Sequence, residues 1–349
     1  MQQLDARIIR IIENAREGIP ASQDDCEAIL TLNPHSAETF AVRAAAGAIS
    51  RQKTNNASVI FGQIGVECSP CKADCSFCSF GESHTQMEPF VMDDETIVQK
   101  AQDFCKHGDL YGLWLMTMHD FDLDHYLHVV RLVRNNVPAS TNLYSNVGDT
   151  SYESFCKMRE AGITGAYHIY RIGEGVHTKL DPAMRMRTME NARRAGLDLL
   201  NAVEPIGPEN TPAEIAAEIF KMKSTHPIQT GCMKRTAVPG TKFENSGEIT
   251  HIQLSLVVAA QVLSIVDLDP FPWIGIHEPC EAGYFAGANL ITAETGVNPR
   301  DTAAETSQSH GFDMNACRKA LYEVGFTKLA KGDGTLVDLT PDYIANTCE

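Results

Sequence analysis

Polar and apolar positions follow two periods along this chain, and the change falls near residue 58. Before it the period is helical. Leu4, Ile8, Ile9, Ile11 and Ile12 share one face, and Ser22 to Leu32 reads as a shorter helix starting at Ser22 or Gln23-Asp24. From Ser58, short apolar runs alternate with amphipathic stretches, the pattern of β/α units and a parallel sheet. Strands are predicted near 58–64, 111–117, 140–146, 165–170, 197–204, 230–236, 272–277 and 289–293. Helices are predicted at about 93–107, 122–135, 151–161, 183–195, 211–225, 248–265, 280–286 and 313–324. Asp93 or Asp94 caps the first of these helices, and Thr211-Pro-Ala-Glu gives a cap, an N1 proline and an N3 glutamate in order. Gly108, Gly162 and Gly196 stand where helices end in a left-handed residue. Eight such units predict an α/β fold: a (β/α)8 TIM-type barrel over 58–326, a helical segment 1–57 packed on it, and a C-terminal surface tail at 327–349. In that architecture chemistry comes from the loops at the C-terminal ends of the strands.

The 349 residues are 43% apolar, enough for a full core, and carry a net charge of −16. So acidic a surface argues against nucleic acid or an anionic membrane as the main partner, because both need a basic face. The chain opens on a polar amphipathic helix and has no unbroken apolar run of about eighteen residues, so a soluble cytoplasmic protein is expected. Eleven cysteines, an odd number scattered along a long chain, do not form a disulfide framework.

Four of those cysteines crowd into Cys68-Ser-Pro-Cys71-Lys-Ala-Asp-Cys75-Ser-Phe-Cys78, directly after the first predicted strand. Cys71, Cys75 and Cys78 have C-x3-C-x2-C spacing, tight enough to set three thiolates around one face of a cubane iron–sulfur cluster and leave its fourth iron open to a chelating ligand. Tetrahedral zinc is the rival, although zinc modules usually pair two C-x2-C knuckles across a dozen or more residues. A disulfide or plain loop is the other alternative, and a reducing compartment disfavours it. Cys68 lies outside the triplet and reads as packing, a spare thiol or an alternative ligand.

With Phe77 before the last cysteine and a strand before the first, the loop resembles the signature of radical S-adenosylmethionine (radical SAM) enzymes. The resemblance implies a [4Fe-4S] cluster on the three cysteines, S-adenosylmethionine chelating the fourth iron, and Phe77 against the adenine. It also implies a low-potential electron donor such as ferredoxin or flavodoxin. The likeness runs from residue 58 to about 326 and is nearest the branch of biotin synthase, the [FeFe]-hydrogenase maturase and methylornithine synthase. Arg185, eleven residues before Gly196, matches an arginine of that branch that pairs with the cofactor carboxylate, a task suited to a planar guanidinium. Glu204-Pro-Ile-Gly207 resembles the turn near the adenosine, and Ala237-Val238-Pro-Gly240-Thr resembles the stretch at the adenine edge. Tyr284-Phe-Ala-Gly287-Ala-Asn is similar to the entry of the last β unit. These imply cofactor contacts from Glu204, Gly207 and Val238. Two departures stand out. Residues 106–155 and 157–231 lack cysteine, so the second cluster of biotin synthase has no ligands there. Strand two ends Leu115-Met-Thr117-Met-His119 without the paired glycines and glutamate that many of these enzymes use for the methionyl amine, which leaves Thr117 and backbone carbonyls to hold it.

Polar residues on the predicted strands mark a barrel lumen for a small-molecule substrate: Asn142, Tyr144, His168, Tyr170, Glu204, Arg235 and His277. Each also suits a hydrogen-bonded core position. As inward cations, Arg235 and His277 would anchor a small anionic group. Glu294 either binds a cation or caps Arg300 and the turn at Asn298. The favoured function is a radical SAM enzyme of cofactor or amino-acid biosynthesis. The alternatives are a sulfur-inserting enzyme using the core cluster or an accessory one involving Cys68, Cys232 or Cys280, and a non-catalytic iron–sulfur carrier or scaffold.

Overall fold

The computed structural model describes residues 4–347. Eight parallel strands close into a barrel: β1 (Ala57–Gly65), β2 (Leu110–Met116), β3 (Asn142–Asn146), β4 (Gly165–Tyr167), β5 (Asp198–Leu200, continuing as Val203–Ile206), β6 (Gln229–Lys234), β7 (Trp273–His277) and β8 (Leu290–Gly296). Pairing of Val59 with Leu290 through Gly65 with Gly296 joins the last strand to the first. The break in β5 falls at Asn201-Ala202, where the Asn201 side chain accepts the Ala202 amide at 2.8 Å.

Helices α1 (Ala6–Arg16), α2 (Gln23–Leu30) and α3 (Ala37–Lys53) precede the barrel, and α4 (Asp94–Cys105), α5 (Leu123–Asn136), α6 (Tyr152–Ala161), α7 (Pro182–Arg194), α8 (Pro212–Ser224), α9 (His251–Ser264), α10 (Glu281–Phe285) and α11 (Met314–Glu323) follow the successive strands. The caps form as predicted: Asp93 accepts the Thr96 amide, and Thr211 with Glu214 completes a capping box. With five residues, α10 is too short to cover the strands beneath it, and α3 lies beside it. Gly47 permits that approach, since a Cβ there would stand 2.1 Å from the Phe285 carbonyl oxygen. α9 is buried on every side from Leu254 to Ser264, because the barrel covers one face and α1–α3 the other.

The lower lumen is filled. Phe61, Trp114 and Tyr144 point inward, with ring centroids 4.7 and 5.5 Å from that of Phe61, and Val59, Leu200, Leu290 and Ala330 complete the cluster. The segment expected as a surface tail is partly built into the barrel end. β9 (Lys328–Ala330) pairs in parallel with β1, and β10 (Leu336–Asp338) pairs antiparallel with β9. The backbone at Gly332 then comes so close to Ser140 and Tyr111 that a Cβ would meet their carbonyls at 2.4 and 2.5 Å. The N-terminal end of the barrel is therefore shut, and the open space lies at the C-terminal end of the strands.

Candidate active site

The cysteine loop leaves β1 and is held from both sides. Cys71 N–H donates to the Phe80 carbonyl at 2.8 Å, Ser76 N–H to His177, and Lys179 N–H to Ala73, so the loop after β4 braces the loop after β1. Asp74, in a left-handed conformation at φ 46°, accepts from the Ser83 amide at 3.0 Å and hydroxyl at 2.8 Å and pairs with Lys179 at 2.9 Å. His84 Nε2–H donates to the Cys78 carbonyl at 2.7 Å. Cys71, Cys75 and Cys78 all line one cavity of about 220 Å³. Burial raises all three thiols, Cys75 to about 11, with mutual repulsion adding to the rise at Cys75 and Cys78. As thiolates they call for a cationic group to hold them. Among the described residues no three His, Cys, Asp or Glu side chains meet closely enough to ligate one metal ion.

Phe77, Thr117, Arg185, Glu204, Arg235 and His277 line the same cavity, so much of the predicted site is brought together. Thr117 donates its hydroxyl to the Glu67 carboxylate. Arg185, 3% exposed, donates Nε and Nη2 to the Ile169 carbonyl at 3.2 and 2.9 Å and Nη1 to Asp149 at 3.1 Å. Asp149 also accepts from His168 and Thr188, at 3.0 Å each; burial would raise its pKa, but the His168 hydrogen bond and the Arg185 charge hold it low. Gly207 and Val238 are set back from the cavity wall, in turns closed by Asn210 and Thr241.

Four expected substrate contacts lie elsewhere. Asn142 donates to the Tyr111 and Gly332 carbonyls at the closed end of the barrel, and Tyr144 belongs to the aromatic filling above it. β4 ends at Tyr167, so the alternation assumed for His168 and Tyr170 does not extend to them. His168 is buried on Asp149, and Tyr170 lies under Lys221, 3.4 Å from Nζ to the ring centroid. Arg235 and His277, expected as anionic anchors, reach the cavity but differ in charge and partners. Arg235 grips Glu209 with Nε and Nη2 at 3.1 and 2.8 Å and donates to the Phe243 and Gly247 carbonyls. Burial pushes His277 down to about 3, so it is neutral.

The cavity also contains residues that the strand pattern did not mark as chemical. Arg171 donates to Glu204 at 3.2 Å, and Tyr167 donates to the other Glu204 oxygen at 3.3 Å. Across the lumen Arg300 binds both Glu278 and Glu294, and Glu294 further accepts from Gln63 and Asn298 at 3.1 Å each. Trp114, His119, Asn146, Lys234 and Thr236 also line the cavity. Trp114 and Tyr167 were legible as alternating inward positions, but Arg171 and Arg300 follow strands and give no periodic signal.

Among the described residues no helix is long and apolar enough to cross a membrane. The fold is a closed (β/α)8 barrel, and the chain resembles the radical SAM superfamily in sequence as well as in fold. No family model matches. A 5-amino-6-(D-ribitylamino)uracil–L-tyrosine 4-hydroxyphenyl transferase of Methanospirillum hungatei JF-1 is 24% identical over 155 residues, covering 43% of this chain and 42% of that protein, so the match spans less than half of that relative's length. A biotin synthase of Ehrlichia canis strain Jake is 21% identical over 255 residues, 68% of this chain and 77% of that one. The structure of methylornithine synthase superposes with a TM-score of 0.75 at 15% identity, covering 90% of this chain and 96% of that one. The [FeFe]-hydrogenase maturase of Carboxydothermus hydrogenoformans gives 0.75 at 15% identity, with 92% and 78% covered. These superpositions establish the shared barrel, and the relatives are enzymes.

Proposed function

We propose that this protein is a radical SAM enzyme acting on a small polar molecule in cofactor or amino-acid biosynthesis. The observation that carries the reading is the arrival of Cys71, Cys75 and Cys78 together with Arg185 on one cavity at the open end of the barrel. Cys71, Cys75 and Cys78 would hold a [4Fe-4S] cluster and Arg185 the carboxylate of S-adenosylmethionine, and the pair would supply reductive cleavage of the cofactor and radical hydrogen abstraction from substrate. The chain's part is positional. Phe77 flanks the cofactor beside the cysteines, Arg185 turns its remaining N–H groups to a carboxylate, and Thr117 stands at the end of β2. The closed lower barrel limits water and holds the substrate carbon near the cofactor.

An accessory cluster on Cys68, Cys232 or Cys280 finds no support in their positions. Cys68 donates to the Glu88 carbonyl at 3.6 Å, Cys232 to Gln261 at 3.1 Å, and Cys280 precedes α10; none lines the cavity. The test is anaerobic reconstitution followed by iron and sulfide analysis. About four of each per chain are expected. Replacing Cys71, Cys75 and Cys78 with alanine should abolish the cluster, whereas Cys68→Ala should retain it. Full iron in the triple variant would overturn the reading.

A further inference from the structure

We propose that the lumen takes a substrate bearing a carboxylate, which seats on the two terminal nitrogens of Arg171 beside Glu204. This rests on the function proposed above and names the substrate class of the same cavity.

The first observation is the charge of the walls. Five cations line the cavity, Arg171, Arg185, Lys234, Arg235 and Arg300, against two carboxylates, Glu204 and Glu294. The other carboxylates that pair with these cations, Asp149, Glu174, Glu209, Glu248 and Glu278, are set back from the wall. A ligand entering this space meets guanidinium and ammonium groups first, and a cleft lined mainly by one sign of charge concentrates the opposite one.

The second observation picks out Arg171. The other four cations are taken up by the protein: Arg185 by Ile169 and Asp149, Arg235 by Glu209, Phe243 and Gly247, Arg300 by Asn298, Glu278 and Glu294, and Lys234 by Glu248 at 2.6 Å. The Arg171 side chain donates through Nε alone, to Glu204, and among the described residues neither terminal nitrogen has a hydrogen-bond partner; Glu174 stands 4.0 Å from Nη1, beyond hydrogen-bonding reach. Its side chain is also the most exposed of the five, at 22% against 15% or less for the rest. Four N–H groups on one planar guanidinium are left for a ligand, and two of them can meet both oxygens of a carboxylate in parallel. Because Glu204 already sits on this guanidinium, a carboxylate with a single charge is favoured over a phosphate carrying roughly two.

The third observation separates this anion from the carboxylate of the cofactor. Arg185 belongs to α7, and its acceptors Asp149 and Ile169 lie in the loops after β3 and β4. Arg171 instead holds Glu204 on β5, whose other oxygen takes Tyr167 at the end of β4, and the Tyr167 ring stands 5.5 Å from that of Trp114 in the aromatic filling of the lumen. Contacts from Arg185 lead out to a helix, and those from Arg171 lead down the lumen. There Trp114 Nε1 is buried, belongs to a cavity-lining side chain and has no hydrogen-bond partner, so it too is a donor that requires an acceptor. Met116, Trp114, Tyr167 and Met233 supply apolar wall for the carbon body of the same ligand.

The experiment titrates cluster-loaded wild-type protein, saturated with S-adenosylmethionine under anaerobic conditions, with pentanoate, pentylphosphonate, pentanol and pentylamine in a calorimeter. Pentanoate should bind at least about tenfold more tightly than pentanol or pentylamine, the worth of a charge-assisted contact, and more tightly than pentylphosphonate. Arg171→Gln should erase the preference over pentanol, while Arg171→Lys, which keeps the charge without the planar fork, should retain part of it. No pentanoate binding, pentanol or pentylamine binding as tightly as pentanoate, a preference for pentylphosphonate, or an intact preference in Arg171→Gln would overturn the inference. Pentanoate that binds only when S-adenosylmethionine is left out would assign Arg171 to the cofactor and overturn it as well. If Arg171→Gln does not fold, Arg171→Lys and the wild-type ranking with and without S-adenosylmethionine decide. In parallel, 5′-deoxyadenosine release from reduced wild-type protein without probe tests the parent function: its absence refutes the enzyme, whereas its presence with no preference for pentanoate refutes only the carboxylate site.

Discussion

Replacing Arg185 with alanine should weaken S-adenosylmethionine binding, and the structure limits by how much. The guanidinium has five N–H donors. Three are committed to protein acceptors, Nε and one Nη2–H to Ile169 and one Nη1–H to Asp149, which leaves one N–H on each terminal nitrogen for a ligand carboxylate. A charge-assisted pair of that kind contributes roughly 1.5–3 kcal/mol, or about tenfold to 150-fold in Kd. Removal also strips Asp149 of its cation while leaving it His168 and Thr188. The assay is therefore paired: anaerobic titration of cluster-loaded protein followed by the change in its visible spectrum, with thermal unfolding of the same samples. Arg185→Lys should recover part of the affinity, because it restores the charge without the planar fork. An unchanged Kd in Arg185→Ala would refute the cofactor role and leave this arginine as a strut between α7 and the loops after β3 and β4.

Two further outcomes concern the scaffold. Arg318 on α11 holds Asp109 bidentately, at 2.6 and 2.9 Å with both side chains buried, so Arg318→Ala should cost about 3–5 kcal/mol in urea unfolding, and a loss below about 1 kcal/mol would contradict this. His277 is held at about 3, below its ordinary 6.5, so the unfolded chain takes up a proton between these values that the folded chain refuses. Its contribution is therefore complete above about pH 6.5 and is lost as pH falls towards 3; His277→Gln should flatten the acid decline of Tm, and parallel wild-type and variant curves from pH 8 to pH 5 would refute the assignment.

The barrel and its cysteine loop were legible because their signals are local. A strand followed by C-x3-C-x2-C needs no tertiary information, and Asp93, Thr211 and the glycines at 108, 162 and 196 mark helix ends by backbone chemistry alone. Depth along the lumen was not legible. Alternation correctly turned Tyr144 inward, but it cannot tell the mouth of a barrel from its closed end, which is set by packing of Phe61 and by the returning segment at Ala330 and Gly332. Strand length misled in the same way: β4 stops at Tyr167 and β6 at Lys234, so His168, Tyr170 and Arg235 lie beyond the reach of the period-two rule. Inward charge was visible at Arg235 and His277, but the partner Glu209 and the burial that neutralises His277 depend on loops that the pattern does not position.

The most direct test is the fate of S-adenosylmethionine on the protein itself. Cluster-loaded wild-type protein, reduced with dithionite in the absence of substrate, should release 5′-deoxyadenosine and methionine in equal amounts, and the Cys71, Cys75 and Cys78 alanine variants should release neither. A fully loaded, reduced protein that leaves S-adenosylmethionine intact would contradict the enzymatic function and leave a non-catalytic iron–sulfur carrier in its place.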